Sequence, residues 1–188
     1  MRRLEPLLRG ADQLEWNPKI KYADATKLKF KPGTFLGIYS SHLLEHLNFY
    51  DAQTLVNKCY SILAPGGILR LALPDYDYFV DRYVKDRLKN PVDAYLDYEE
   101  SLLSWPLEKR SFKGRLIAGI FGRLHVHKWH PTIAIVKVML ETTGFQNIES
   151  CSFREGHFPM MSLVENRPES TFYVEAIKSS QLLKSFRE

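Results

Sequence analysis

The sequence predicts an α/β fold, a doubly wound and mostly parallel sheet with an antiparallel edge strand. Three observations carry this reading. Phe35 to Ser40 (Phe-Leu-Gly-Ile-Tyr-Ser) has the apolar character of a buried strand. Leu55, Cys59, Ile62 and Leu63 recur at helical spacing between a polar break and Pro65-Gly66-Gly67. Ile68 to Leu73 is a compact apolar run bounded by turn signals, as a central strand should be. Strand, polar turn, helix, Pro-Gly-Gly and strand make a βαβ unit, which demands a parallel pair and a right-handed crossover. In such sheets a ligand crevice opens beyond the carboxyl ends of the strands. Here those ends are Ser40-Ser41-His42 and Pro74-Asp75.

The remaining elements follow in order. Leu4, Leu7 and Leu8 could share a helical face, cut short by Pro6 and Gly10; Gln13 to Trp16 reads as a short strand stopped by Asn17-Pro18. Lys27, Lys29 and Lys31 alternate, which places them on one solvated face of an extended segment. Leu43 to Leu47 is a short helical turn or loop, and Asp51 can cap the helix behind it. Residues 76–104 read as helical, with Tyr76, Phe79, Val80 and Tyr83 on one stripe. Asn90-Pro91 interrupts them and Asp93 can cap a second helix. A lid-like insertion then occupies about 90–131. Thr132 caps an amphipathic helix containing Ile135, Val136, Val138, Met139 and Leu140, and Gly144 sits where that helix should end. Asn147 to Phe153 and Thr171 to Ile177 are strands with no helix expected between them, which points to an antiparallel pair at one edge. From Ser179 the chain is polar and expected to fray.

Composition bounds the function classes. The 188 residues fit one domain over 1–188, long enough to bury a core without a disulfide or metal staple. A hydrophobic content of 45% excludes global disorder. A net charge of +4 is too mild to argue for nucleic acid, so the basic residues Lys109, Arg110, Lys113, Arg115 and Arg123 read as a solvated surface. The longest uncharged apolar stretch, Leu116 to Gly122, is too short for a membrane span, and the first residues lack the apolar core of a secretory signal. Cys59 and Cys151 form no Cys-x-x-Cys pair; two isolated thiols suit a reducing, cytoplasmic setting.

Ser40-Ser41-His42 with Glu45 and His46 is the densest polar cluster after a strand. His42 and His46 are four apart, as a metal pair on a helix would be, but two ligands are not a site. A third would have to come from His125, His127 or His130, and the reading adopted is no metal, with these side chains fixing a loop by hydrogen bonds. The same three histidines, with Trp129, could line the open side of a crevice and supply a general base. Asp24 can accept from a ligand's amino or hydroxyl group, or simply form an Asx turn. Glu15, at a strand end, suits a ribose diol or is a surface charge. The chain has no Gly-x-Ser-x-Gly elbow, phosphate-binding P-loop or Gly-x-Gly-x-x-Gly turn.

Asp24-Ala25-Thr26-Lys27-Leu28, the run Thr34 to Leu47 with its Ser41-His42-Leu43-Leu44-Glu45-His46, and Leu63-Ala64-Pro65-Gly66-Gly67 continuing to Asp75 together resemble class I S-adenosylmethionine-dependent methyltransferases. The resemblance is to the small type 11 group, spans roughly residues 13–80, and extends to Gly144-Phe145 and Tyr173-Val174-Glu175-Ala176. It implies a Rossmann-like sheet of seven strands, the seventh antiparallel at the edge, and S-adenosylmethionine as cofactor. By position it gives Glu15, with Trp16 beside it, to the ribose hydroxyls, Asp24 and Ala25 to the adenine, and Ser40, Ser41 and His42 to the methionine part. His46 and Asp75 would lie near the transferred methyl, and His46 or a lid histidine such as His130 would act as base. The resemblance does not specify the acceptor; a small molecule or a glycan is left open, and nucleic acid is not expected. The family's first strand and its Gly-x-Gly-x-Gly turn should precede Glu15, where only Arg9-Gly10-Ala11-Asp12 stands. Phe35-Leu36 also replaces the usual Phe-Asp. These departures leave a second reading beside the enzyme: a methyltransferase-like module that binds or scaffolds without catalysis.

Overall fold

A computed structural model of the chain describes residues 21, 23–102 and 127–180. A 3-10 turn, Ala25–Lys27, precedes strand β1, Phe35–Ser41, and a second such turn, Leu44–His46, precedes helix α1, Phe49–Ile62. Strand β2 is Leu63–Pro74, and helices α2, Tyr76–Asp86, and α3, Pro91–Leu102, follow it. After residue 126 come helix α4, Ile133–Thr143, strand β3, Phe145–Cys151, a single helical turn α5, Met161–Val164, and strand β4, Thr171–Lys178. The strand expected at 13–16, most of the lid-like insertion and the polar tail lie outside the described residues.

The four strands order as β1-β2-β4-β3. β1 and β2 are parallel, so the βαβ unit is present, and β4 is antiparallel to both β2 and β3. Three of the four strands therefore run the same way. The antiparallel pair does lie at one edge, but the strand of opposite direction is its inner member, not the outermost strand. Burial explains why. β4 is buried at all but two of its positions and needs a neighbour on each side, whereas β3 exposes Gln146, Asn147, Glu149 and Ser150 and tolerates an open flank.

Local chemistry sets the element ends. α1 starts one turn earlier than Asp51 suggested, because Asn48 is the cap: its Oδ1 accepts from Asp51 N at 2.9 Å. Asn48 Nδ2 in turn donates to Asp51 Oδ2 at 2.6 Å. Asp93 lies inside α3, which opens on Pro91, a residue that gives up no hydrogen bond in a first turn. Thr132 does cap α4, and Gly144 ends it with φ at 102°, the left-handed value that a side chain resists. Lys27 closes a 3-10 turn, so the three alternate lysines do not share one extended face.

Alternation along the paired strands splits the sheet chemically. Leu69, Leu71 and Leu73 of β2 stand opposite Ala176, Val174 and Phe172 of β4. All six are buried in one cluster with Leu55, Val56 and Cys59 of α1 and Val136, Met139 and Leu140 of α4. The intervening positions face the other way and carry a charge pair. Arg70 stands directly opposite Glu175, and its side chain is wholly buried. Its Nη1 donates to Glu175 Oε1 at 2.8 Å and to the Glu155 carbonyl at 2.9 Å; Nη2 donates to the Ser152 carbonyl at 3.1 Å; Nε donates to Glu165 Oε1. Glu165 also accepts from Arg154 N, and Glu175 from His157 N and Phe158 N. One guanidinium thus pins the whole 152–165 loop onto the sheet.

Burial pushes the Glu175 carboxyl up, but the His157 and Phe158 amides and the Arg70 guanidinium outweigh it and hold the group below its ordinary 4.5. A carboxyl lowered on folding stabilises the protein above its unfolded value, and that contribution fades as pH falls through the folded value. Glu175→Gln should therefore cost about 3 kcal/mol at neutral pH, because Arg70 is left under-neutralised. In urea titrations from pH 7 to pH 3 the parent should lose more stability than the variant. Gly156 tests the same cluster sterically. Its φ is 140°, and an added Cβ would stand 2.5 Å from Glu175 Oε1 and 2.8 Å from Arg70 Nη1. Gly156→Ala should lower stability by about 2 kcal/mol or more, read as a drop in thermal midpoint.

Candidate functional site

The carboxyl ends of β1 and β2 are held side by side by one further rung, His42 N to the Ala72 carbonyl at 2.9 Å. His42 takes φ 47°, uncommon for a residue with a side chain. Its ring Nε2 meets Thr171 Oγ1 at 3.2 Å, and Nδ1 lies 3.3 Å from Glu45 Oε1. Glu45 sits in the 3-10 turn between β1 and α1 and is completely buried. Neither carboxylate oxygen makes a hydrogen bond.

The segment after the lid folds back against this turn. Lys128 N donates to the Glu45 carbonyl at 2.8 Å and Trp129 Nε1 to the Leu44 carbonyl at 2.8 Å, while the indole packs edge-on against Phe49. These bonds bring His127 in, nearly buried, with its ring centroid 4.9 Å from that of His46. Tyr76, the first residue of α2, meets His127 Nδ1 through its hydroxyl, and His130 lies against the Tyr76 ring at 4.5 Å. Burial lowers the His127 ring to about 4; Glu45 opposes this, while His46, His130 and His42 add to it. His127 is therefore neutral at pH 7. Burial first, and then Glu45, push the Tyr76 phenol up, so it remains protonated. Glu45, His46 and His127 each present one donor atom within 4.8 Å of the other two.

Two hollows meet here. The larger, about 600 Å3, is lined by His42, Pro74, Phe79, Tyr83, Tyr98 and His127, with Arg82, Asp86, Asp93 and Asp97 among its polar residues. The other, about 500 Å3, lies along β1 and is lined by Ala25, Phe30, Ile38, Ser40, Ser41, His42, Leu43, Leu55 and Cys59. His42 walls both. Each volume is in the range that holds a small organic ligand. The smaller hollow suits a nucleoside cofactor chemically: it is mostly apolar and flanked by aromatic rings, and the buried Ser40 hydroxyl lacks a hydrogen-bond partner.

The residues singled out from the sequence fall into separate places. His42, His46 and His130 gather around Glu45, Tyr76 and His127. Ser40, Ser41 and Ala25 line the smaller hollow. Asp24 does not line it; its Oδ1 caps the 3-10 turn, accepting from Thr26 N and Thr26 Oγ1, and its Oδ2 lies 3.1 Å from Lys27 Nζ. Asp75 accepts from Tyr78 N at 3.2 Å and so caps α2, and its own amide donates to the Ser170 carbonyl. Glu15, Trp16 and His125 lie outside the described residues. The His42 and His46 pair suggested by four-residue spacing does not arise on a helix, because β1 ends and a 3-10 turn intervenes. Sequence spacing gave no role to Tyr76 beyond an apolar stripe, although its place directly after Pro74-Asp75 marked it as a first-turn residue at a strand end.

Residues 5–71 match the model of a family described as a methyltransferase domain. No curated protein matches the chain. Among solved structures, a SAM-dependent methyltransferase from Archaeoglobus fulgidus shares 17% identity over 83% of this chain and 66% of its own, with a TM-score of 0.47. A SAM-dependent methyltransferase from Thermotoga maritima shares 13% over 84% of this chain and 62% of its own, with a TM-score of 0.45. A phosphoethanolamine N-methyltransferase from Haemonchus contortus shares 14% over 83% and 36%, with a TM-score of 0.42. The chain spans less than two thirds of the length of each. Among the described residues no helix is long and apolar enough to cross a membrane. Residues 5–71 are thus similar to the methyltransferase-domain family, the family that the sequence resemblance named.

Proposed function

We propose that the protein transfers a methyl group from S-adenosylmethionine to a small-molecule or glycan-type acceptor, with the cofactor in the smaller hollow and the acceptor in the larger. The observation that supports this most is the shared wall: His42 lines both hollows at the carboxyl end of β1. When bound, the cofactor supplies an electrophilic methyl on a sulfonium. The protein's work is then alignment. Holding nucleophile and methyl in line can be worth on the order of 7–11 kcal/mol.

In this reading Glu15 and Trp16 meet the ribose and Asp24 and Ala25 the adenine side. Ser40, Ser41 and His42 support the methionine end, where the unpartnered Ser40 hydroxyl has a hydrogen bond to offer. The sequence resemblance assigns His46, Asp75 and His130 to the acceptor side; the histidines that line the larger hollow are His42 and His127, and a histidine takes up a proton if the acceptor carries one. The acidic and aromatic lining of the larger hollow, Asp86, Asp93 and Asp97 with Tyr83 and Tyr98, suits a hydroxylated or amino-bearing acceptor.

Calorimetric titration with S-adenosylhomocysteine tests the proposal. The expected result is saturable binding at one site per chain, weakened about tenfold or more by Asp24→Ala, which removes the cap of the 3-10 turn that sets Ala25 against the smaller hollow. No heat and no thermal shift at millimolar ligand would sink it and leave the scaffolding reading. Binding that Asp24→Ala leaves unchanged would remove Asp24 from the site.

A further inference from the structure

We propose that Glu45, His46 and His127 bind a divalent transition-metal ion, zinc by the character of the donors, at the wall of the larger hollow. Three observations carry this. The three donor atoms already converge within 4.8 Å of one another, although they come from two segments far apart in the chain. Glu45 is fully buried, neither of its carboxylate oxygens makes a hydrogen bond, and the His42 ring, with Nδ1 at 3.3 Å from Oε1, supplies a charge only when protonated. Such a group is costly to bury unless something compensates it, and a cation does so directly. Third, the surroundings hold the donors in position: Lys128 and Trp129 bond the backbone of Glu45 and Leu44, and the Tyr76 hydroxyl fixes the His127 ring.

Two imidazoles and a carboxylate make a borderline-soft nitrogen and oxygen set, which favours zinc and its neighbours over calcium or magnesium. Zinc bonds of about 2.0–2.1 Å in a tetrahedron put donors roughly 3.3 Å apart, so side-chain rotations of about 1 Å close the present arrangement. One carboxylate and two neutral rings leave a bound divalent ion with net charge +1. Three protein ligands also leave a coordination position open for water or an acceptor oxygen. Since His127 lines the larger hollow, that ion borders the space where an acceptor would sit. Uptake of the ion does not depend on the methyl-transfer reading; only a role for it in methyl transfer would.

The test is titration of chelator-treated full-length protein with Zn2+ by calorimetry and with Co2+ by visible absorption. The expected result is one saturable ion per chain and a cobalt spectrum of low coordination number that added Zn2+ abolishes. Glu45→Gln and His127→Gln, each checked for folding by circular dichroism, should weaken uptake at least tenfold. His157→Gln, an exposed histidine beside Glu175, should leave it unchanged. No uptake by the parent overturns the proposal even if a variant fails to fold. Equal uptake by a folded Glu45→Gln chain, or equal loss in His157→Gln, overturns it too. Neither titration contains S-adenosylmethionine or its product, so failure here is distinct from failure of methyl transfer.

Discussion

The described structure rests on one buried guanidinium. Arg70 occupies a central strand position where an apolar residue would be ordinary, and it is neutralised by Glu175 from the adjacent strand and Glu165 from the loop beyond β3. Two backbone carbonyls accept from two more of its N–H groups. A charge this far from water is tolerable only with two carboxylates and such a set of hydrogen bonds around it. The consequence reaches the site through the loop it holds. That loop carries Phe158, whose ring lies against Gly37 and Tyr39 of β1, the strand that ends at Ser40-Ser41-His42.

The opposite face of the sheet solves a simpler problem. Leucines and valines from β2, β4, α1 and α4 exclude water without any directional requirement. The sheet is therefore held apolar on one side and ionic on the other. The site lies at neither face but at the ends of the strands, where backbone pairing stops and polar side chains take over. Glu45 is the exception that links core and site: it is as buried as the leucines around it, yet it faces a group of histidines.

Much of the architecture was legible because hydrophobic period reports it directly. Phe35 to Ser40, Ile68 to Leu73 and Thr171 to Ile177 fall inside observed strands, and Thr132 and Gly144 bound a helix as their chemistry requires. The position of β4 between β2 and β3 was not legible, since alternation gives the facing of a strand and not its neighbours. The start of α1 was misplaced because Asn48 and Asp51 are both good caps, and only the fold decides which carries the role. In the site, the polar cluster 40–46 was visible as a run of residue types. The part of Tyr76, and which of His125, His127 and His130 joins the cluster, were not, because the chain between His46 and His127 hides which segments meet. Asp24 shows the limit of positional inference: the carboxylate is there, but its nearest partners are its own turn residues.

His42 is a partition shared by two rooms. A ring that forms part of both cavities cannot shift to suit an occupant of one without redrawing the other. Whatever enters first sets the shape that the second must meet, and the resulting thermodynamic linkage is mutual. A single imidazole, set between Thr171 on one side and the Glu45 carboxylate on the other, would thereby make any occupants of the two hollows depend on one another.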